Sequence, residues 1–272
     1  RIEGRAGADV MQHRLIFIRH GETDWNRERR LQGQRDTPLN GRGRDQASAV
    51  GRSVRDWRGL ELANLRFVAS PLSRTCDTMR LARTAMGLPP DEFSTDPRLM
   101  ELTFGRWEGL TWEELKARDP WAAKAREGDK WAFMPPGGES YGMLADRLRP
   151  WLDGVTGETV VVSHGGVARV LMALLADSPL DRAPQNEIHQ GRALIFESGR
   201  CRWLCPRSQA GTTALCSLRV HAERAIKTAI SRFDRAIGRT LPPRARGVER
   251  NIEFVARALV AAIQRQVGFR IP

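Results

Sequence analysis

Short apolar runs alternate with amphipathic stretches along most of the chain. The apolar runs predict strands at 15–18, 65–69, 159–163 and 193–196, the last of these being the final strand of the sheet. Helical spacing of apolar residues predicts helices over 41–57, 71–86, 111–118, 120–128, 141–152 and 167–175, whereas the polar, arginine-rich stretch 24–40 is predicted to be a loop. The helix at 71–86 is expected to begin at Pro71, in its first turn. Strands that alternate with helices predict an α/β fold, a three-layer α/β/α sandwich with a mostly parallel central sheet.

Residues 209–272 have a different character. Apolar residues recur there at helical spacing on both sides of the sequence LPP at 241–243, which predicts a C-terminal helical hairpin. Residues 211–272 carry +8 of the net charge of +12. This basic extension is expected to pack on the main domain or on a second subunit, and binding to nucleic acid or to an anionic membrane is the alternative. The chain therefore divides into an appended protease-cleavage remnant at 1–10, a main domain at 11–208 and an extension at 209–272.

Composition limits the class of protein. No apolar run approaches the roughly 18 residues of a membrane-spanning helix, so a soluble protein of the cytoplasm is expected. The four cysteines show neither the spacing of a zinc site nor the density of a disulfide framework, which indicates free thiols. A monomer or a homodimer is expected.

Three polar segments follow predicted strands or lie just beyond them. They are RHGET at 19–23, SPLSR at 70–74 and SHGG at 163–166. Ligands of open α/β sheets bind outside the carboxyl ends of the strands, so His20, Arg74 and His164 are expected to meet in one pocket.

These residue types suit the chemistry of a phosphate monoester. Arginine keeps its positive charge at neutral pH and binds phosphoryl oxygens through two N–H groups, which makes Arg19 and Arg74 a predicted phosphate clamp. A neutral imidazole offers a lone pair to phosphorus, which makes His20 the predicted nucleophile of a phosphohistidine mechanism. His164, if protonated, would donate to a third phosphoryl oxygen.

The leaving alcohol needs a proton, and Glu101 is the predicted donor. A carboxyl that faces a phosphate dianion retains its proton more readily because like charges repel. Glu22, Glu108 and Glu113 are nearby carboxylates that compete for this assignment. The sequence shows no compact carboxylate cluster of the kind that holds magnesium, so no metal and no cofactor are predicted.

The three segments, together with ELTFGRWEG at 101–109, resemble the histidine phosphatase superfamily, the phosphoglycerate-mutase-like family. The resemblance covers about residues 13–204. It implies that Asn26, Gln32 and Gly33 line the phosphate or substrate mouth and that Gly165 belongs to the substrate-binding set beside the second histidine.

The segments RLQG at 30–33, FGRWEG at 104–109 and PGGES at 136–140 are similar to the phosphatase branch of that family. They imply hydrolysis of a small phosphorylated metabolite. The alternatives are a phosphoglycerate mutase and a phosphate-binding interaction protein whose function lies in the basic extension.

Overall fold

The computed structural model describes residues 13–57 and 60–204, which form a six-stranded sheet between helices. The strands are β1 (Leu15–Arg19), β2 (Arg66–Ala69), β3 (Ser94–Thr95), β4 (Thr159–Ser163), β5 (Ala193–Glu197) and β6 (Arg200–Trp203). Their order is β3-β2-β4-β1-β5-β6; β1, β2, β3 and β4 pair in parallel, whereas β5 and β6 add an antiparallel edge.

Seven α-helices connect these strands within the described residues. They are α1 (Asp24–Arg27), α2 (Gly41–Arg55), α3 (Ser73–Met86), α4 (Trp112–Arg118), α5 (Pro120–Gly128), α6 (Tyr141–Asp153) and α7 (Gly165–Leu175). The six predicted helices are confirmed, with shifts of a few residues at their ends. The predicted loop at 24–40 contains the one-turn helix α1, whose N-cap Thr23 and third residue Asn26 form a capping box.

Two details of the sequence prediction are wrong. Helix α3 begins at Ser73 with Leu72 as its N-cap, so Pro71 precedes the helix rather than opening it. The strand at 193–197 is not the last, because Ser198 and Gly199, both with positive φ, turn the chain back into β6. That turn matches the twist of a two-residue hairpin, and the polar alternation of β6 is typical of an exposed edge strand.

The side chains of each central strand point alternately to two apolar layers. Leu15 and Phe17 of β1 face one layer, which contains residues of α6 and α7, while Ile16 and Ile18 face the other, which contains residues of α2 and α3. The sheet is therefore covered on both faces, and the predicted three-layer sandwich is confirmed.

The parallel strands bring three chain segments together at their carboxyl ends. Arg19 pairs with Ser163 at the ends of β1 and β4, and the backbone N–H of His20 donates to the Ser163 carbonyl at 2.9 Å. On the other side of β4, the Ser70 N–H donates to the Val162 carbonyl at 3.0 Å. This register places the residues after β1, β2 and β4 next to each other, as the sequence predicts.

Several predictions fall on residues that the structure does not describe. The remnant at 1–10, the helical hairpin at 209–272 and two of the four cysteines lie outside the described residues. In the part of the chain that is described, Cys76 and Cys201 are free thiols. No helix there is long and apolar enough to cross a membrane.

Candidate active site

His20 is the first residue after β1 and is only 3% exposed. Its Nδ1 lies 2.8 Å from the Gly21 carbonyl oxygen. A carbonyl can only accept, so Nδ1 carries the hydrogen and Nε2 holds the lone pair. Burial lowers the pKa of His20 well below 6.5, and the cations Arg74 and Arg19 lower it further. The ring is therefore neutral at physiological pH, in the tautomer that a nucleophilic Nε2 requires.

A close approach of two backbone segments fixes the position of this histidine. A Cβ on Gly21 would lie 2.2 Å from the carbonyl oxygen of Gly43, in the first turn of α2. The Gly21 N–H also donates to Thr78 Oγ1 of α3 at 3.0 Å. Only glycine lets the chain after β1 pass between these helices, which is the physical reason for the RHG sequence.

Two buried guanidinium groups flank His20, and backbone carbonyls hold both of them. Arg74 donates to the carbonyls of Arg35 at 2.7 Å and Gly33 at 2.8 Å, and Arg19 donates to that of Ile188 at 2.8 Å. Neither forms an ion pair with any residue that the structure describes. Burial, with Arg169 next, lowers the pKa of Arg19 to about 10, which still leaves it cationic at pH 7.

His164 follows β4, and its ring centroid lies 5.2 Å from that of His20. Its Nε2 is 2.8 Å from the hydroxyl of Ser70. That hydroxyl oxygen also accepts the N–H of Leu72 at 3.5 Å, and Nε2 is the only acceptor that the described residues offer to the hydroxyl hydrogen. Nε2 then uses its lone pair, and Nδ1 carries the hydrogen. Burial, followed by Arg74, lowers the pKa of His164 well below 6.5, so the donor at Nδ1 belongs to a neutral ring.

The carboxylate of Glu101 lies at the N-terminus of α7, next to His164. One oxygen accepts the N–H of Gly166 at 3.0 Å, and the other accepts the N–H of Leu102 at 3.0 Å. A Cβ on Gly166 would lie 2.2 Å from Glu101 Oε1, so the second glycine of SHGG gives this carboxylate its space. Glu101 also acts electrostatically on both Arg19 and Arg74.

The competing carboxylates serve other contacts. Oε1 of Glu108 accepts from the N–H groups of Gln34 and Phe104 and from the hydroxyl of Thr103, at 2.8 to 3.2 Å. Glu22 accepts from Asn40 at 3.1 Å and faces Arg42, and Glu113 is exposed on α4. Glu101 is therefore the carboxylate, among these four, that contacts the first turn of α7, directly after the second histidine.

Two of the four predicted substrate-binding residues help to hold the site: Asn26 contacts Gln190, which donates to the His20 carbonyl, and Gly33 contacts Arg74. Oδ1 of Asn26 accepts within the α1 capping box and from Gln190 Nε2 at 2.9 Å, and Oε1 of Gln32 accepts from Thr37 at 2.8 Å. Gly33, with φ of +53°, supplies a carbonyl to Arg74. Gly165 is the first residue of α7. Their contact with a substrate stays a prediction.

Sequence reasoning assigned no role to several residues that hold the site together. Ser70 is the first residue of SPLSR, but its contact with His164 joins residues 94 positions apart and leaves no local pattern. Gln190 donates to the His20 carbonyl at 3.2 Å, again without a sequence signal. Glu139 of PGGES pairs with Arg147 at 2.9 Å, and Arg147 donates to the Arg98 and Met100 carbonyls, which orders the chain leading to Glu101.

Three buried N–H atoms of the described residues have no hydrogen-bond partner, and all belong to this site. They are Arg19 Nε, Arg74 Nε and His164 Nδ1. Buried donors are nearly always satisfied in proteins, so three of them around one nucleophilic nitrogen indicate a site for a compact anion with several acceptor oxygens. A tetrahedral phosphoryl group has that chemistry. Fold and site together define a phosphate-handling α/β/α enzyme whose site contains a buried, neutral histidine.

Comparisons with known proteins agree with this class. The family model described as histidine phosphatase superfamily (branch 1) matches residues 15–210, and the chain belongs to that family. A glucosyl-3-phosphoglycerate phosphatase of Mycolicibacterium vanbaalenii is 37% identical over 184 residues, which cover 63% of this chain and 77% of that protein. A probable phosphoglycerate mutase of Erwinia tasmaniensis is 34% identical over 171 residues, 61% of this chain and 75% of that protein.

Two solved structures share the fold. A putative alpha-ribazole-5'-P phosphatase from Escherichia coli aligns with a TM-score of 0.60 and 27% identity, over 73% of this chain and 97% of that chain. A mycobacterial glucosyl-3-phosphoglycerate phosphatase in complex with VO3 aligns with a TM-score of 0.58 and 31% identity, over 72% of this chain and 100% of that chain. The family predicted from the motifs is thus confirmed.

Proposed function

We propose that the protein hydrolyses a small phosphorylated metabolite through a phosphohistidine formed on Nε2 of His20, without a metal ion. One observation carries this proposal: Nε2 holds a lone pair among three buried N–H donors that have no hydrogen-bond partner among the residues that the structure describes. The donors suit phosphoryl oxygens, and the lone pair suits phosphorus.

In the first half-reaction, Nε2 of His20 forms a bond to phosphorus as the bond from phosphorus to the ester oxygen breaks. Arg19, Arg74 and Nδ1 of His164 donate to the non-bridging oxygens, whose charge they stabilise in the transition state. The leaving oxygen takes a proton from the Glu101 carboxyl. Both oxygens of Glu101 accept backbone N–H groups, and each keeps a second lone pair for that proton.

In the second half-reaction, water attacks phosphorus and the bond from phosphorus to Nε2 breaks. The Glu101 carboxylate takes the proton of the water, so inorganic phosphate leaves and both residues return to their starting forms. Nδ1 of His20 keeps its hydrogen throughout and donates it to the Gly21 carbonyl, so the lone pair stays on Nε2 for another cycle.

The charges of the site support metal independence. Two guanidinium groups without ion-pair partners in the described part of the chain would repel a divalent cation placed beside the phosphoryl group. The same groups supply the neutralisation that a metal provides in other phosphatases.

Relatives of this chain include proteins named as phosphatases and one named as a probable mutase, so hydrolysis and transfer must be distinguished by experiment. A panel of phosphomonoesters is incubated with the protein, with and without EDTA, and inorganic phosphate is measured. We expect stoichiometric phosphate release that EDTA does not change and that His20→Ala abolishes. Isomerised organic phosphate with little free phosphate would instead establish a mutase, and loss of activity in EDTA would contradict metal independence.

The binding of a small phosphorylated molecule, the oligomeric state and the cytoplasmic location stay predictions.

A further inference from the structure

The chain that leads into β5 runs beside the predicted nucleophile. Strand β5 pairs antiparallel with β1, so the residues before β5 lie next to those that follow β1. The Ile188 carbonyl accepts from Arg19 Nη1 at 2.8 Å. Two residues later, Gln190 Nε2 donates to the His20 carbonyl at 3.2 Å and to Oδ1 of Asn26 at 2.9 Å. One glutamine amide therefore joins the backbone of His20 to the side chain of Asn26.

Two backbone groups fix the direction in which both side-chain amides face. The Gln190 atom that faces the His20 carbonyl must be Nε2, because a carbonyl oxygen only accepts. The Thr23 backbone N–H lies 3.2 Å from the Asn26 amide, and the atom that faces it must be Oδ1, because an N–H only donates. Nε2 of Gln190 and Oδ1 of Asn26 are thus complementary, and reversing either amide would oppose two donors or two acceptors.

This orientation turns Nδ2 of Asn26 away from Thr23 and Gln190. No oxygen of the described residues accepts from Nδ2, whereas Oδ1 accepts from Gln190 and from both the N–H and the hydroxyl of Thr23. Asn26 is half-buried, so a ligand can reach the free N–H groups. Because Asn26 is predicted to line the phosphate mouth, Nδ2 would add a donor to the three buried ones already found around His20.

We propose that Gln190 is a positioning residue, which holds the Asn26 amide so that Nδ2 donates to a phosphoryl oxygen. Gln190 makes the shortest of the three contacts to Oδ1, at 2.9 Å against 3.2 Å for each contact from Thr23. An amide rotated by half a turn would aim Oδ1 at the phosphoryl oxygens, and acceptors repel one another. The inference rests on the proposed function, since it concerns the site that the function assigns to the phosphoryl group.

Phosphate binding by the full chain tests this role separately from turnover. Inorganic phosphate is titrated calorimetrically into the wild type, Gln190→Met, Asn26→Ala and the double variant. Methionine has about the length of glutamine but donates no hydrogen. We expect Asn26→Ala to weaken binding at least about tenfold and Gln190→Met to weaken it about 3- to 10-fold. In the Asn26→Ala background, Gln190→Met should cost less than about twofold, because its effect acts through the amide.

Gln185→Met is the matched control. Gln185 is exposed, and its Nε2 donates to the Asp181 carbonyl at 3.1 Å, so the same substitution removes a hydrogen bond away from the site. It should leave phosphate binding within about twofold. Nuclear magnetic resonance supplies a reading on the wild type that does not depend on how Gln190→Met folds. The side-chain amide signals of Asn26, identified by their absence in Asn26→Ala, should move when phosphate binds.

Three results would overturn the role of Gln190. They are equal losses in Gln190→Met and Gln185→Met, additive losses in Gln190→Met and Asn26→Ala, and a wild type whose Asn26 amide signals do not respond to phosphate. Phosphate binding in the wild type without any turnover would contradict the proposed function and leave this inference standing.

Discussion

Replacing Ser70 by alanine tests whether this hydroxyl sets the hydrogen position on His164. Ser70 is fully buried, and its oxygen lies 2.8 Å from His164 Nε2. Alanine removes the oxygen and adds nothing in its place. Nε2 then has no partner, and the ring can place its hydrogen on either nitrogen, so Nδ1 no longer presents a fixed donor.

The expected loss follows from two magnitudes. Leaving a buried acceptor unpaired costs about 1 to 3 kcal/mol, and complete removal of one oxyanion donor in other enzymes costs about 10²- to 10³-fold in kcat. Ser70→Ala keeps the imidazole, and a phosphoryl oxygen can still draw the hydrogen to Nδ1 at a cost of about 1 to 2 kcal/mol. That cost corresponds to about a 5- to 30-fold fall in kcat/KM, whereas His164→Ala should lose about 10²-fold or more.

A double-mutant cycle separates this positioning effect from a general loss of stability. Initial rates of phosphate release are measured for Ser70→Ala, His164→Ala and the double variant. Once His164 is absent, Ser70→Ala should cost less than about twofold, because its effect acts through the imidazole. Thr159→Val is the matched control: it removes a buried hydroxyl at the opposite end of the sheet, from the first residue of β4, and should lower stability without lowering kcat/KM.

Additive losses in the cycle would refute the reasoning, because they would show that Ser70 acts independently of His164. Unchanged kcat/KM in Ser70→Ala, with normal folding by circular dichroism, would refute it as well. An equal fall in kcat/KM for Thr159→Val would show that any buried hydroxyl of the sheet has the same influence.

Three further predictions concern the groups around the nucleophile. Burial lowers the pKa values of His20 and His164, so below about pH 6.5 the unfolded chain binds protons that the folded chain does not. The free energy of unfolding, measured by urea titration, should therefore fall by about 1.4 kcal/mol per pH unit for each histidine between pH 6 and 5. A His20→Asn variant should lose half of that slope. Arg74→Lys should reduce kcat/KM about 10²-fold or more in steady-state assays, because one ammonium group cannot hold two backbone carbonyls and a phosphoryl oxygen together. Near-normal activity would contradict the role of Arg74 in the phosphate clamp. Glu101→Gln should reduce kcat/KM about 10²-fold or more for an alkyl phosphate but less than about tenfold for p-nitrophenyl phosphate, because the p-nitrophenolate leaving group needs no proton. Glu108→Gln, the control, should affect both substrates equally.

The sequence predicted the central site because its signals are local. His20 and His164 each follow a β-branched or apolar strand, and parallel strands necessarily place such residues at one edge of the sheet. The glycines of RHG and SHGG also have local consequences, since each permits one close contact, with Gly43 and with Glu101.

The supporting contacts were not predictable because they join distant segments. Nothing in the sequence around Gln190 indicates that it donates to the His20 carbonyl. The edge strand β6 was missed for a different reason. Its alternating polar residues resemble a loop unless the turn at Ser198 and Gly199 is recognised as a hairpin.

The most direct test of the mechanism is chemical trapping of the phosphoenzyme. The protein is mixed with a substrate radiolabelled in its phosphoryl group, quenched with alkali within a turnover and digested, and the labelled peptide is sequenced. The account predicts an alkali-stable, acid-labile phosphate on His20, formed at least as fast as kcat and absent from His20→Ala. Phosphate release at the normal rate with no label on His20, or with the label on another residue, would contradict it.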